Sequence, residues 1–230
     1  MAAIVIVAAG VIALGVANGD GGGSSEAPEG LEVADLEPAL LTADDLGEGF
    51  AVDSDDSDDD ETSFEDADMA PDCREALDRF EAEDTGDENG LQADFERSND
   101  GVTVSQELSL IESGEPTIRE IADGLRRCER ISYEEDGQQV EMRFGVDDVD
   151  GLGDEAIGVE MSFDLELMQG VGVTLEAYGL IVARDGVTSG VMVTGPLDPI
   201  TLESGSVDRD LARDLAERAD EKLQQVLAET

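Results

Sequence analysis

Apolar and polar residues alternate along six segments of the chain, a period that predicts β-strands. The first two segments flank the turn sequence Ser98–Gly101 and predict a hairpin. The predicted strands are residues 91–97, 102–110, 140–146, 157–167, 171–184 and 187–194. In the last two, both faces become apolar around Leu180–Val182 and Val191–Val193. This predicts central positions in the sheet or a second covered face.

Other segments carry apolar residues at helical spacing. Residues 71–82 and 116–128 each present one apolar stripe, and Pro71 suits a first helical turn. In the last segment, 207–228, leucine or alanine recurs every four residues, and Ser206 is its predicted cap. A short helix is predicted within residues 40–46, with Thr42 as its cap.

The element order is therefore helix, two strands, helix, four strands, helix. Because the connections between neighbouring strands are short, the sheet should be mainly antiparallel. The sequence predicts an α+β fold with about six strands and with the helices packed on one face of the sheet.

The chain has two cysteines, Cys73 and Cys128, and each lies on the apolar stripe of its own predicted helix. An even pair downstream of the apolar run at 1–17, which resembles an export leader, favours a disulfide, and this bond would stabilise the fold by roughly 4 kcal/mol. Two free buried thiols are the alternative. Since no CxxC sequence is present, a structural role is favoured over a redox role.

The N-terminus divides into an apolar leader or membrane anchor at 1–17 and a flexible, acidic Gly/Ser linker at 18–34, followed by the domain at 35–230. Gly15 and Ala17 are placed like the small residues of a cleavage site. No Lys or Arg precedes Arg74, and the run is short for a membrane span. A start further upstream would explain both features, and a buried core helix is the alternative. Export is the favoured interpretation.

Acidic residues far outnumber basic ones, 59 against 13, for a formal net charge of −46. Such a surface repels nucleic acid and anionic lipid, so a membrane contact is expected only through the N-terminal segment. Either a high-salt habitat or a GC-rich genome would account for the single Lys, Lys222. Histidine is absent, which excludes Ser-His-Asp triads and His-ligated zinc. The chain is predicted not to be an enzyme and to need no cofactor.

One acidic turn has the composition of a calcium loop. Asp148, Asp150 and Asp154 would supply oxygen ligands around the glycines at 151 and 153. The alternative is a tight acidic turn between two strands. The denser acidic run at 53–61 lacks the spacing of an EF-hand and is predicted to be a solvated loop.

A ligand surface is predicted on the sheet face opposite the helices. Arg143 stands there among acidic residues and is the candidate anchor for a ligand, with Tyr178 on the same face. A surface ion pair is the alternative role for Arg143.

Several short motifs resemble a known family. They are the segment 40–50 (LLTADDLGEGF), the segment 151–156 (GLGDEA), the segment 179–186 (GLIVARDG) and the closing helix with Lys222-Leu223. Together with the two cysteine-bearing helices, they resemble the extracellular sensor domain of mycobacterial PknH-type kinases and related actinobacterial secreted proteins and lipoproteins.

The resemblance implies an extracytoplasmic domain with a ligand cleft, set behind one transmembrane helix in the kinases. This chain has one cysteine pair where the kinase domains have two disulfides. Its leader ends in Ala17-Asn18, where a lipoprotein has its lipidated cysteine.

The sequence thus predicts a non-enzymatic sensor-like or ligand-binding domain of the cell envelope, anchored or secreted. Its partner would be a small molecule or an envelope component. The alternative is a structural or protein-interaction role for an acidic envelope protein of the halophile type.

Overall fold

The fold comes from a computed structural model, which describes residues 27–28, 30–53, 67–74, 90–111, 117–135, 138–167, 171–197 and 204–229. The leader, most of the acidic run at 53–61 and most of the first cysteine helix lie outside these residues. A 3-10 helix spans Val33–Ala39, and the α-helices are α1 (Ala43–Leu46), α2 (Ile118–Leu125) and α3 (Arg209–Glu229). Residues 71–74 are also helical. Within the described ranges, no helix is both long enough and apolar enough to cross a bilayer.

All the described strands belong to a single antiparallel sheet in the order β1-β3-β4-β9-β8-β7-β6-β5-β2. The strands are β1 (Phe50–Val52), β2 (Asp68–Met69), β3 (Gly90–Arg97), β4 (Val102–Leu110), β5 (Arg130–Glu135), β6 (Gln138–Asp148), β7 (Glu155–Leu167), β8 (Val171–Arg184) and β9 (Val187–Thr194). A tight turn joins β8 to β9, with positive φ angles of 46° at Asp185 and 80° at Gly186. These angles are those that a two-residue hairpin loop requires.

The six predicted strands are all present, but the sheet has nine, so the predicted strand number is wrong. The three missed strands are β1, β2 and β5. β1 and β2 have three and two residues, too few for an alternating pattern to appear. β5 offers only Ile131 and Tyr133 as apolar positions, directly after the second cysteine.

The helices cover both faces of the sheet, so the predicted packing on a single face is also wrong. Helix α3 packs on β8 and β9, above a cluster that includes Tyr178, Leu180 and Val182. Helix α2 packs on β6, β7 and β8, above a cluster that includes Ile181 and Ala183. Since neighbouring residues of a strand point to opposite faces, the two helices lie on opposite sides. We call these sides the α3 face and the disulfide face.

Strands β8 and β9 are central in the sheet, as their apolar character on both sides predicted. β9 is buried from residue 187 to residue 193 and β8 from residue 177 to residue 183, since α3 covers one side of these stretches and the α2 cluster covers the other. The described residues cover the outer strands on one side only. Among these residues, the sheet therefore has two uncovered polar areas, which lie diagonally opposite each other.

One disulfide joins Cys73 to Cys128, and it confirms the predicted bridge. The two cysteines are 0 % and 1 % exposed and belong to the cluster on the disulfide face. Cys73 lies in the helical residues 71–74, whereas Cys128 lies three residues beyond the end of α2. Thr117 caps the start of helix α2, and its hydroxyl and backbone N–H exchange hydrogen bonds with Glu120 in a capping box.

The N-terminal segment packs on the α3 face. Leu31 and Leu36 are buried against Leu108, Val187 and Leu223, so tight packing already begins within the segment predicted to be linker. The side chain of Gln106 is fully buried and holds this segment to β4. Its Oε1 accepts a hydrogen bond from Leu41 N at 2.5 Å, and its Nε2 donates to Ala39 O at 3.3 Å.

Helix α1 confirms the short helix predicted within residues 40–46. The carboxylate of Asp45 accepts hydrogen bonds from the backbone N–H and the hydroxyl of Thr42, at 2.8 and 2.7 Å. Lys222 of α3 donates to the same carboxylate at 2.9 Å. Burial alone would raise the pKa of Asp45, but the hydrogen bonds from Lys222 and Thr42 outweigh it and lower the pKa.

Candidate functional site

The uncovered part of the α3 face is formed by strands β5 to β8. Antiparallel register places polar side chains from these four strands side by side, because alternate residues of each strand point to this face. We call this surface the polar half-face: Arg130, Ser132, Glu141, Arg143, Ser162, Asp164, Thr174 and Glu176.

A chain of charged contacts crosses the polar half-face. Glu141 pairs with both Arg130 and Arg143, at 3.3 and 2.5 Å. Arg143 also reaches Asp164 at 3.2 Å, and Asp164 accepts a hydrogen bond from the hydroxyl of Thr174 at 2.6 Å. The two arginines lie directly opposite each other on β5 and β6, where like charges repel. Glu141 relieves this repulsion because it binds both.

The Arg143 side chain remains accessible despite its two partners. It is 55 % exposed, while Glu141 and Asp164 are 26 % and 36 % exposed. Exposed pairs of this kind contribute at most about 1 kcal/mol, so the network can open to admit a ligand at small cost. The arrangement offers donors and acceptors for reversible hydrogen bonding.

The half-face ends at Tyr178, where the first residue of α3 meets the sheet. The guanidinium of Arg209 lies 5.0 Å from the centre of the Tyr178 ring. Its Nη2 lies 2.6 Å from Glu160, and its Nη1 lies 3.9 Å from Asp147. Tyr178, Glu160 and Asp147 come from three adjacent strands and project from the same face.

Burial raises the pKa of the Tyr178 hydroxyl, and the nearby charge of Asp147 adds to this effect. The hydrogen bond with Glu160 raises the pKa of Arg209. At neutral pH this end of the half-face therefore carries a neutral phenol beneath a fully protonated guanidinium.

The structure places the two predicted ligand residues on one face. Arg143 and Tyr178 belong to adjacent rows of the sheet, because Tyr178 pairs with Glu160, which pairs with Gly145. Arg143 is exposed, as expected for an anchor. Tyr178 is only 8 % exposed, because α3 covers the part of the face where it lies. No bound molecule tests either role, so both stay predictions.

The predicted calcium ligands occupy different environments. Asp148 pairs with Arg126 at 2.8 Å, and Asp154 accepts a hydrogen bond from the backbone N–H of Asp185 at 2.9 Å. The backbone carbonyl of Asp150 accepts from Arg213 at 3.2 Å. In the part of the chain that the structure describes, no three acidic, histidine or cysteine side chains converge as metal ligands. The geometry gives the calcium prediction no support.

Two cations are among the residues of this region that were not found from the sequence. Arg130 was missed because β5 was missed. Arg209 was missed because its contacts reach Tyr178 and Glu160, which are distant in the chain, and helical spacing predicts only local neighbours. The available signal was a cation in the first turn of a predicted helix, where the helix dipole disfavours positive charge.

Comparisons with known proteins give similarities to solved structures, which include two mycobacterial proteins. No protein-family model and no curated protein matches the chain. One similar structure is the extracellular domain of PknH from Mycobacterium tuberculosis, with 12 % identity and a TM-score of 0.47 over 85 % of this chain and 97 % of that one.

A second similar structure is a Mycobacterium smegmatis protein described as a putative uncharacterized protein (Rv0999 ortholog). It has 19 % identity and a TM-score of 0.41, over 85 % of this chain and 93 % of that one. At these values the likeness does not extend to ligand or activity. The PknH extracellular domain is nevertheless among the solved structures that the chain resembles, as the sequence motifs predicted.

Proposed function

We propose that this chain is a non-enzymatic, sensor-like binding module that works outside the cytoplasm and captures its ligand on the polar half-face. The observation that carries this proposal is an accessible arginine at the centre of a four-strand polar surface. Arg143 is held by Glu141 and Asp164, yet half of its side chain faces solvent.

The half-face suits binding because it is rigid and adaptable at the same time. Its backbone is fixed by the ladders of four paired strands, and their opposite side packs on the α2 cluster. Only side chains need to move when a ligand enters. Rigid elements that present exchangeable polar groups bind with a small loss of conformational entropy.

The disulfide supports the proposed location. Bridges of this kind persist in oxidising compartments such as the periplasm, the cell envelope and the extracellular space. Cys73 and Cys128 are both buried, and the bond between them holds the helical residues 71–74 close to the end of α2. The choice between anchoring and secretion depends on residues 1–17, which lie outside the described residues.

Binding is tested by nuclear magnetic resonance on the full ¹⁵N-labelled chain with a panel of amino acids, monosaccharides and tripeptides. The proposal predicts that bound compounds shift amide signals of β5 to β8. Arg143→Gln should weaken binding by about tenfold, as expected for the loss of a charge-assisted hydrogen bond.

Arg119→Gln is the matched control, since Arg119 is an exposed arginine of α2, remote from the half-face, and pairs with Glu155. It should leave the affinity unchanged. The proposal is wrong if no compound of the panel binds, if bound compounds map elsewhere, or if both variants weaken binding equally.

The strong negative charge favours a second candidate, a protein-interaction role with cationic partners. The chain carries 59 acidic residues, and many of the described cations are already paired within the domain. A surface of this type would attract basic peptides through long-range electrostatics. Such binding would disappear in molar salt and would show no preference for β5 to β8, which separates it from the first candidate.

A further inference from the structure

We propose that Tyr178, Glu160 and Asp147 form a recognition site for a guanidinium group, which Arg209 of the same chain fills in the structure. We call this group of three residues the guanidinium site. This inference rests on the proposed binding function and names the chemical class of the ligand: a molecule or peptide that carries a guanidinium.

The three side chains have the chemistry that a guanidinium requires. A planar cation stacks favourably on an aromatic ring within about 6 Å of its centre, and carboxylates at the rim accept its N–H groups. Arg209 makes the ring contact at 5.0 Å and reaches Glu160 at 2.6 Å. Asp147 is the second carboxylate, at 3.9 Å.

Two glycines shape the site. A Cβ atom on Gly158 would lie 2.2 Å from the Tyr178 hydroxyl, so the ring can occupy its position only because residue 158 has no side chain. Gly145 lies beside Glu160 and is exposed, and a Cβ atom there would meet only Glu160. Space next to the carboxylate is therefore open to the rest of a ligand.

The position of Arg209 in its helix is unfavourable for helix stability. It is the first residue of α3, where the partial positive charge of the helix dipole repels a cation. Asp208 precedes it and caps the helix, accepting a hydrogen bond from Leu211 N at 3.0 Å. The arginine thus serves the contact with the sheet and not the start of the helix.

Arg209 can also leave the guanidinium site. Its side chain is 47 % exposed, and those of Glu160 and Asp147 are 50 % and 64 % exposed. An incoming guanidinium would take the place of the Arg209 guanidinium, so Glu160 and Asp147 would keep a cationic partner. Displacement would release Arg209 at the start of α3 and thereby transmit binding to the helix.

A second stacked arginine in the molecule provides an internal control. Arg97 lies over Phe50 at 5.1 Å and pairs with Asp100 in its own turn, with two hydrogen bonds of 2.9 and 2.8 Å. The ion pair of Arg97 is local, and in the described part of the chain it involves one carboxylate. It stabilises the hairpin, and its arginine should not exchange with a ligand.

The test measures binding of the blocked tripeptide acetyl-Gly-Arg-Gly-amide and of methylguanidinium to full-length variants, by amide shifts at low salt. Arg209→Ala should bind both probes about tenfold more tightly than the wild type, because the internal competitor is gone. Adding Glu160→Gln to Arg209→Ala should abolish this gain. The analogue with citrulline, which is neutral, should not bind.

Arg97→Ala is the matched control and should bind no better than the wild type. Tighter binding of the tripeptide than of methylguanidinium would identify arginine in a peptide as the source, and equal binding would identify a small guanidinium compound. Thermal melts check that each variant folds.

Equal probe affinities in the wild type and in Arg209→Ala would overturn the inference, as would binding that Glu160→Gln leaves unchanged. The two proposals fail separately. If panel compounds bind the half-face but neither probe binds Arg209→Ala, the chain is a binding module without a guanidinium site. If no compound of the panel binds, the proposed binding function itself is wrong.

Discussion

Cationic side chains are scarce in this chain, and the structure uses several of them to join elements that are distant in sequence. Arg119 links α2 to β7, Arg209 links α3 to β7, and Lys222 links α3 to α1. These pairs are exposed or half-buried, so each contributes little by itself. The pair of Arg184 with Asp220 differs because both side chains are shielded from solvent, at 17 % and 9 % exposure.

Replacing Asp220 with alanine should lower the free energy of unfolding by about 3–5 kcal/mol, measured by urea denaturation. Asp220 accepts two hydrogen bonds from Arg184, at 2.5 and 2.7 Å, and its loss leaves a largely buried charge without its direct ion-pair partner. In the wild type, the hydrogen bond to Asp220 raises the pKa of Arg184. The arginine keeps its charge in the variant as well, because a guanidinium does not lose its proton at neutral pH.

Arg143→Ala is the control for Asp220→Ala, because Arg143 belongs to an exposed pair and should cost less than about 1 kcal/mol. A similar loss of stability in both variants would show that the Arg184–Asp220 pair is no stronger than a surface contact.

At the scale of elements, alternation and helical spacing predicted most of the described structure. The strand from Ile157 to Leu167 and the hairpin around Ser98–Gly101 follow directly from their patterns. The missed strand β5 has two apolar positions, which a short loop can also supply. Elements of this kind form because neighbouring strands provide partners, and a local pattern does not contain that information.

The assignment of faces could not be predicted, and this had consequences for the candidate site. Periodicity tells which residues of one strand share a face, but only register tells how the faces of different strands correspond. Phe95 and Val140 both look like core residues, and they are, yet they lie on opposite sides of the sheet. Strands β8 and β9 lie between them and are apolar on both faces. The sequence pattern therefore does not show that the buried face changes from one half of the sheet to the other.

Replacing Gln106 tests the contact between the N-terminal segment and the sheet. Gln106→Leu should lower the free energy of unfolding by about 1–3 kcal/mol, because the buried N–H of Leu41 and the carbonyl of Ala39 lose their partner. Hydrogen exchange at Leu41 should accelerate in the same variant.

The control for Gln106→Leu is Gln92→Leu on the neighbouring strand, where the side chain is exposed and donates a hydrogen bond to Asp94 at 2.8 Å. This change should alter stability by less than about 0.5 kcal/mol. Unchanged exchange at Leu41 in Gln106→Leu would contradict the proposed contact.

For the whole molecule, the net charge of −46 means that the acidic side chains repel one another, and the thirteen cations are too few to balance this repulsion. Salt screens such repulsion, because the Debye length falls from about 10 Å at 0.1 M to about 3 Å at 1 M. The melting temperature should therefore rise between these two salt concentrations by at least about 5 °C, as measured by calorimetry. A melting temperature that does not depend on salt would show that the acidic surface imposes no such penalty.

The proposed location outside the cytoplasm is tested most directly by the state of the two thiols in protein taken from its native host. Denaturation in an alkylating reagent, followed by proteolysis and mass spectrometry, should recover Cys73 and Cys128 in one linked pair of peptides without alkylation. Recovery of both cysteines as alkylated, unlinked peptides would contradict the location and, with it, the sensor-like function.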